Sequence, residues 1–302
     1  MAEWIDLIDP SSEELRAKLP REVQESALDL LLAPARHADE PRPTLQAHGD
    51  YIFGIFLVAV AVPEEDRVFY QEIDCVVTHD VLLTVSKTPP DEHPYDPRPA
   101  RESCQPDDEA GMMLYRLVDD IAERYLDLVD ALDGEIDELE DSVETAPPAV
   151  TRGRLSKLRH DLLHIRRTLA PTRDAVRRVV DNVIEVDEGP PVFPHDVEIA
   201  FNSAYDKLLR ALDGLDLSRD LIASVRDYLL SKIANDQNEV VKKLTVIASV
   251  LLVPTFIVGV YGQNFRHHFP ELGWRFGYAY SWGLIVLTTI AQLVYFRRKK
   301  WI

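Results

Sequence analysis

The chain has 302 residues, and its 52 acidic and 33 basic side chains give a formal net charge of −19. This length suffices for one large domain or two ordinary ones, while the acidic charge disfavours nucleic acid as a partner because it repels phosphates. The two cysteines, Cys75 and Cys104, give no basis for a disulfide framework, and we expect both to be reduced thiols.

Residues 1–109 are predicted to form a cytosolic α/β domain. A capping box of Ser11 and Glu14 opens a helix that is expected to run from Ser11 to Leu32. Between Tyr51 and Ser86, three runs rich in β-branched and aromatic residues predict the strands YIFGIFLVAVAV, RVFYQEIDCVV and VLLTVS. The proline-rich stretch 88–100 is expected to be a loop that closes this domain.

Residues 110–243 are predicted to form a cytosolic helical stalk. Apolar residues recur every three or four positions, which predicts an acidic helix over 110–145 and a second helix from Thr151 to about Val186. A third helix begins near Pro194 and continues without a break into the membrane. From Pro194 to Val260 it would be roughly 100 Å long, and its apolar stripe needs partners that the other helices and identical copies can supply.

Residues 244–302 are predicted to form a transmembrane pore domain of two helices. The uncharged runs LTVIASVLLVPTFIVGVYG and YAYSWGLIVLTTIAQLVYF each match the roughly 20 residues that cross a bilayer. Lys242 and Lys243 precede the first run and the basic residues 297–300 follow the second, so both termini are expected in the cytoplasm and the loop 264–277 outside. The first residues resemble no signal peptide, which agrees with a cytoplasmic N-terminus.

Two spans in one chain enclose no water-filled path, so a pore requires a homo-oligomeric ring. The predicted fold is therefore an α+β membrane protein in which an N-terminal α/β domain and a helical stalk lead into the first of two transmembrane helices. The sequence contains no nucleotide-binding or catalytic motif. We therefore expect a protein that is not an enzyme, needs no cofactor and transports passively.

The predicted acidic helix concentrates much of the negative charge. Two interpretations stand for its carboxylates: a solvated helix face, or a surface that attracts cations and balances the basic C-terminus. The residues concerned are Asp119, Asp120, Glu123, Asp127, Asp130, Asp133, Glu135, Asp137, Glu138, Glu140, Asp141 and Glu144.

A motif at the end of the first span resembles the CorA family of divalent-cation transporters. The sequence reads YGQNF over 261–265, then PEL over 270–272, and it ends in FRRKKWI. The family signature is YGMNF, so Gln263 stands where magnesium-transporting members have methionine, and zinc-transporting relatives of the ZntB type also vary there. The resemblance implies a selectivity mouth of Tyr261, Gly262, Gln263 and Asn264, an outer loop with Glu271, and a homopentamer in the cell (inner) membrane.

The resemblance also assigns residues along the pore helix. Asn238 corresponds to a polar cytoplasmic ring, Val241, Leu244 and Leu252 to a hydrophobic gate, and Thr255 and Gly259 to the outer half of the lining. Their spacing keeps them near one helix face. From the residues alone, the apolar members can equally face lipid or pack against protein.

The resemblance further implies a regulatory metal site between subunits, formed by Asp29 and Asp227. Ser203 stands at a position where the family has a further carboxylate. Mg²⁺ is thus expected as substrate and as regulatory ligand, with Co²⁺ and Ni²⁺ as further substrates. The alternatives are a zinc transporter of the ZntB type, for which His267 and His268 offer weak support, and a membrane-anchored metal sensor that conducts nothing.

Overall fold

The computed structural model describes residues 2–35, 40–62, 67–187, 189–263 and 273–302. It divides into two compact units, Met1–Arg226 and Asp227–Ile302. The first unit contains a sheet covered by helices, and the described residues of the second contain the end of a long helix and one further helix.

A five-stranded sheet forms the centre of the first unit. Its strands follow the order β1-β5-β4-β3-β2, and all neighbours are antiparallel except β1 and β5. The strands are β1 (Glu3–Ile8), β2 (Thr44–His48), β3 (Tyr51–Val62), β4 (Arg67–Val77) and β5 (Val81–Lys87).

The three predicted strands are confirmed as β3, β4 and β5, whereas β1 and β2 were not predicted. Both are edge strands, of six and five residues. β1 pairs with a partner nearly 80 positions away, with Trp4 opposite Leu82, so no local hairpin signal marks it. Trp4 and Leu7 are buried, but their spacing of three residues puts them on opposite faces of the strand, so β1 leaves no alternating pattern in the sequence.

The predicted helix from Ser11 to Leu32 is two helices, α1 (Ser12–Lys18) and α2 (Glu25–Leu32). The predicted cap is present, because the Ser11 hydroxyl accepts a hydrogen bond from the Glu14 amide at 3.2 Å. Leu19 ends α1 with extended backbone, ψ 130°. Pro20 follows it, and a proline disfavours helical backbone in the residue before it.

Among the described residues, five further helices follow the sheet. The first of them, α3, is a short helix inside and just beyond the stretch that we predicted to be a loop. They are α3 (Arg98–Glu102), α4 (Ala110–Ser142), α5 (Pro148–Val180), α6 (His195–Tyr261) and α7 (Gly277–Arg298). The predicted stalk helices thus correspond to α4, α5 and α6, and α6 runs unbroken past Pro254.

Helix α5 ends six residues earlier than predicted because its C-terminus is capped. Asn182 adopts left-handed backbone with φ 52°. The Val183 amide then donates to the Arg178 carbonyl at 2.9 Å, and the Asn182 amide donates to the Val179 carbonyl at 2.9 Å. This pair of bonds is a Schellman motif, in which asparagine replaces the more usual glycine.

One face of the sheet packs against α1 and α2 around Leu15, Leu28 and Leu31. Helices α4 and α5 also pack against the sheet. The buried Tyr125 of α4 joins these layers, since its hydroxyl lies 2.8 Å from the Leu57 carbonyl and 2.9 Å from the Thr168 hydroxyl. The sheet therefore fixes the position of the helices that carry the acidic side chains.

Within the first unit, α6 runs parallel to α4 and antiparallel to α5. The Lys207 ammonium contacts Asp119 at 2.9 Å and Glu123 at 2.7 Å, and further along the Ser218 hydroxyl donates to Asp133 at 2.6 Å. Helices α4 and α6 approach closely at Gly214, where a Cβ would lie 2.7 Å from Val129 Cγ1.

Candidate ion pathway

Two helices of the described residues are long and apolar enough to cross a membrane, α6 with its C-terminal part and α7. They coincide with the two predicted spans. In the second unit, Val246 and Ile257 of α6 and Phe296 of α7 are buried. The Gln292 amide of α7 also donates to the Ser249 carbonyl of α6 at 3.1 Å. One side of α6 therefore packs against α7.

Five of the six predicted pore-lining residues lie on the other side of α6. At about 100° per residue, they fall roughly 130–170° away from Val246 and Ile257, whereas Asn238 falls only about a quarter of a turn away. All six are exposed in the single chain, and Leu252 is 67% exposed. They are Asn238, Val241, Leu244, Leu252, Thr255 and Gly259. This face of α6 is uncovered by its own chain and available to other copies.

The chemistry of this face changes along the helix. Val241, Leu244 and Leu252 offer aliphatic side chains, and a narrow aliphatic ring blocks ions by excluding water. The Thr255 hydroxyl donates to the Leu251 carbonyl at 2.7 Å. Because its one proton is used there, its oxygen faces other groups only as an acceptor, which suits the water protons around a hydrated cation.

The predicted selectivity mouth begins where α6 ends. Tyr261 is the last helical residue, the Gly262 amide donates to the Val258 carbonyl at 2.9 Å, and Gly262 and Gln263 are exposed. The C-terminus of a helix carries partial negative charge on its last carbonyls and attracts cations. Asn264 and Glu271 lie outside the described residues.

The two predicted regulatory ligands lie in different units. Asp29 is exposed on α2 of the first unit, and Asp227 is exposed on α6 at the start of the second. Within the described ranges, no three His, Cys, Asp or Glu side chains of one chain converge to hold a metal ion. A site that joins these two aspartates across subunits stays a prediction. His267 and His268 lie outside the described residues.

The acidic helix is partly explained by contacts within its own chain. Asp119 and Glu123 bind Lys207: desolvation lowers the pKa of Lys207, but these two carboxylates together raise it above its usual value. Asp120 accepts from Arg124 at 2.8 Å and from the Tyr95 hydroxyl at 2.6 Å. The carboxylates that stay exposed lie further along α4; they include Asp127, Asp130, Asp137, Glu138, Glu140 and Asp141.

A buried charged cluster was missed by the sequence reasoning. Lys87 contacts Glu72 and Asp74, the latter at 2.7 Å, and it donates to the Leu30 carbonyl of α2 at 2.9 Å. All three charged side chains are buried, and burial raises the pKa of Asp74 to about 7, although Lys87 opposes the rise. Because side chains alternate along β4, Glu72 and Asp74 lie on the same face of the sheet. This spacing was the sequence feature that could have revealed the cluster.

Comparison with known proteins agrees with this arrangement. The family model described as CorA-like Mg²⁺ transporter protein matches residues 2–298. The cobalt/magnesium transport protein CorA of Thermotoga maritima is 33% identical over 193 residues, which are 64% of this chain and about half, 53%, of that protein. The zinc transport protein ZntB of Yersinia enterocolitica is 27% identical over 64% of this chain and 57% of its own length.

One relative matches over nearly the whole chain. The cobalt/magnesium transport protein CorA of Methanocaldococcus jannaschii is 26% identical over 99% of this chain and 91% of its own length. The solved structure of the magnesium transporter from that organism superposes with a TM-score of 0.78, at 22% identity and with the same coverage of both chains. This confirms the predicted fold class, with an N-terminal α/β domain, a long helix and a C-terminal apolar helix.

Proposed function

Since the chain belongs to the family of CorA-like Mg²⁺ transporter proteins, we propose that it is a channel for divalent cations, with Mg²⁺ as the main substrate and Co²⁺ and Ni²⁺ as further ones. The observation that carries this proposal is the exposed, uncharged face of α6 opposite its contact with α7. The membrane potential supplies about 4.6 kcal/mol per 100 mV for an ion of charge +2, so uptake needs no nucleotide.

The channel is a ring of identical subunits, and the family resemblance sets the number at five. Two spans per chain leave the pore face of α6 without cover, and copies arranged around an axis bury it. The basic residues at 242–243 and 297–300 support a cell (inner) membrane location with both termini cytoplasmic.

Ions enter as hydrated cations. Mg²⁺ gives up its water reluctantly, so the carboxamides of Gln263 and Asn264 accept hydrogen bonds from the water shell. The outer half of the pore continues this pattern with the acceptor oxygen of Thr255. The aliphatic ring of Val241, Leu244 and Leu252 then forms the gate, which conducts when it widens enough to stay wet.

Ion flux into liposomes tests the proposal. The full-length protein is expected to admit Mg²⁺, while Asn264→Ala reduces the flux at least ten-fold. Leu252→Ala is expected to raise flux through a wider gate, and Leu287→Ala is its matched control, because Leu287 is equally exposed on α7 at 65%. Flux that is absent in the wild type, or equal in the wild type and Asn264→Ala, would identify a metal sensor that conducts nothing.

Competition between ions in the same assay defines the substrate. The similarity to ZntB and the presence of Gln263 make Zn²⁺ the competing substrate. We expect excess Mg²⁺ to suppress the flux of other divalent ions, and Gln263→Met to sharpen the preference for Mg²⁺. A flux that Zn²⁺ dominates in both proteins would favour the ZntB type.

Regulation by cytosolic Mg²⁺ follows from the same resemblance. In this proposal the ion joins Asp29 of one subunit to Asp227 of the next and holds the ring closed. Asp29→Ala with Asp227→Ala should relieve inhibition by internal Mg²⁺, whereas Asp137→Ala, an exposed carboxylate on α4, should not. Unchanged inhibition in the double variant would remove this site.

A further inference from the structure

Two rows of opposite charge run along neighbouring helices of the first unit. Helix α5 carries Arg159, Arg166 and Arg173 at intervals of seven residues, and α6 carries Asp206, Asp213 and Asp220 at the same interval. Seven residues are close to two turns, so each row follows one side of its helix. We name these sets the arginine row and the aspartate row.

In the part of the chain that the structure describes, the aspartate row has no cationic partner. Asp206, Asp213 and Asp220 are exposed, and among the described residues none of their carboxylates forms an ion pair. Exposed apolar side chains lie on the same helix face, with Leu209 at 37% and Leu217 at 56% exposure. A helix face that combines unpaired charge with exposed leucines is typical of a protein contact.

The arginine row borders a groove between α5 and α6. Arg159, Leu163, Arg166 and Arg219 are among the residues that line it, and its volume is about 400 Å³. Arg159 is exposed, and Leu163 is 47% exposed between Arg159 and Arg166. Arg166 contacts Asp216 and Arg173 contacts Asp174 of the same chain, so these two guanidinium groups would share their hydrogen bonds with a neighbouring subunit. The groove therefore offers positive charge around an apolar centre, the complement of the aspartate row with its leucines.

The arginine row and the aspartate row lie at similar positions along the shared direction of α5 and α6. The Arg166–Asp216 contact sets the antiparallel register of α5 and α6 within one chain, and Asp213 lies three residues, or about 4.5 Å, from Asp216 along α6. A rotation about an axis along α6 leaves these positions unchanged, so Arg166 of one copy stands level with Asp213 of the next to within one turn.

One register then pairs all members of both rows. If Arg166 lies opposite Asp213 in an antiparallel pair of helices, equal spacing places Arg159 opposite Asp220 and Arg173 opposite Asp206. The same register brings Leu163 within one residue of Leu217.

We propose that the aspartate row of one subunit docks on the arginine row of the adjacent subunit, with Leu163 against Leu217 at the centre. The proposal rests on the ring in the proposed function and adds the contact that joins its cytosolic parts. Single exposed ion pairs contribute little to stability. The rows therefore act mainly by fixing the register and direction of the neighbour, which charge complementarity does well.

Disulfide cross-linking between two differently tagged chains tests this contact. Both are full-length and carry Cys104→Ser, while Cys75 is buried and stays in place. One chain carries Leu163→Cys and the other Leu217→Cys, so a cross-link forms only between subunits. After co-expression, purification in detergent and mild oxidation, we expect a disulfide-linked heterodimer.

The matched control shifts one cysteine by one heptad. Ser156 is exposed on α5 seven residues before Leu163, so Ser156→Cys should cross-link to Leu217→Cys at least ten-fold less. Equal yields from both pairs, or no Leu163–Leu217 cross-link in a sample that light scattering shows to be oligomeric, would overturn the proposal.

Charge exchange supplies a second readout. Arg159→Asp or Asp220→Arg alone should lower the cross-link yield several-fold, and both changes in every chain should restore it. Failure of the double change to restore the yield would contradict the pairing of the two rows. Flux is measured separately on the unmodified protein: a cross-linked ring without flux would refute channel function alone, and flux without the cross-link would refute this contact alone.

Discussion

Replacing Asp74 with asparagine should change how the stability of the first unit depends on pH. Asp74 is fully buried in β4, 2.7 Å from Lys87, and burial raises its pKa to about 7 from an ordinary value of 3.8. The folded chain thus binds a proton that the unfolded chain releases. The contribution of Asp74 to stability is therefore largest at low pH and is lost as the pH rises from about 4 to about 7.

The size of the effect follows from linkage. One extra bound proton changes the free energy of unfolding by about 1.4 kcal/mol per pH unit, which is a ten-fold change in the unfolding equilibrium. Asparagine does not ionise, and Lys87 keeps Glu72 as its partner in the variant. Asp74→Asn should therefore gain stability relative to wild type as the pH rises through this window, and the difference should level off above pH 7.

Hydrogen exchange of the β4 and β5 amides in the full-length protein measures this difference, after correction for the intrinsic effect of pH on exchange. Comparison of variant with wild type at each pH cancels the titration of the other carboxylates. Asp137→Asn, at an exposed position on α4, is the control and should show no such trend. A difference between Asp74→Asn and wild type that is constant from pH 5 to pH 7.5 would refute the assignment of a raised pKa.

Two further substitutions test the packing of the first unit by thermal unfolding. Tyr125→Phe removes the buried hydroxyl that lies within hydrogen-bonding distance of Leu57 and Thr168, so it should cost about 1–2 kcal/mol; an unchanged midpoint would contradict this role. Gly111→Ala places a Cβ 2.0 Å from the Val192 carbonyl oxygen and should lower the midpoint by several degrees, whereas Gly134→Ala, with open space around its Cβ, should not.

The elements that keep one hydrophobic pattern over many residues were predictable from the sequence. The strand β3 carries a continuous apolar run, and α4 and α6 keep a helical period over 33 and 67 residues. Such repetition lets many residues report the same element. Short elements gave less signal: α1 and α2 merged into one predicted helix because the break depends on Pro20 alone, and β2 has five residues at a sheet edge.

The candidate site was predictable as a helix face but not as an assembly. Spacing alone places Leu244 and Leu252 near the same side of α6, and the structure adds that this side lies opposite the contact with α7. Sequence spacing gives no distance between chains, so the pairing of Asp29 with Asp227 stays a prediction. The cluster of Lys87 with Glu72 and Asp74 escaped notice because charged residues are normally exposed, and only the pairing of β4 with β5 brings them together.

Different segments of helix α6 differ in composition and in the contacts that they make. Between His195 and Arg226 it packs against α4 and α5 and presents the aspartate row, and beyond Lys243 it is uncharged as far as its end at Tyr261. One unbroken helix carries both regions. In the proposed ring, the same helix therefore supplies both the subunit contact and the aliphatic side chains of Leu244 and Leu252.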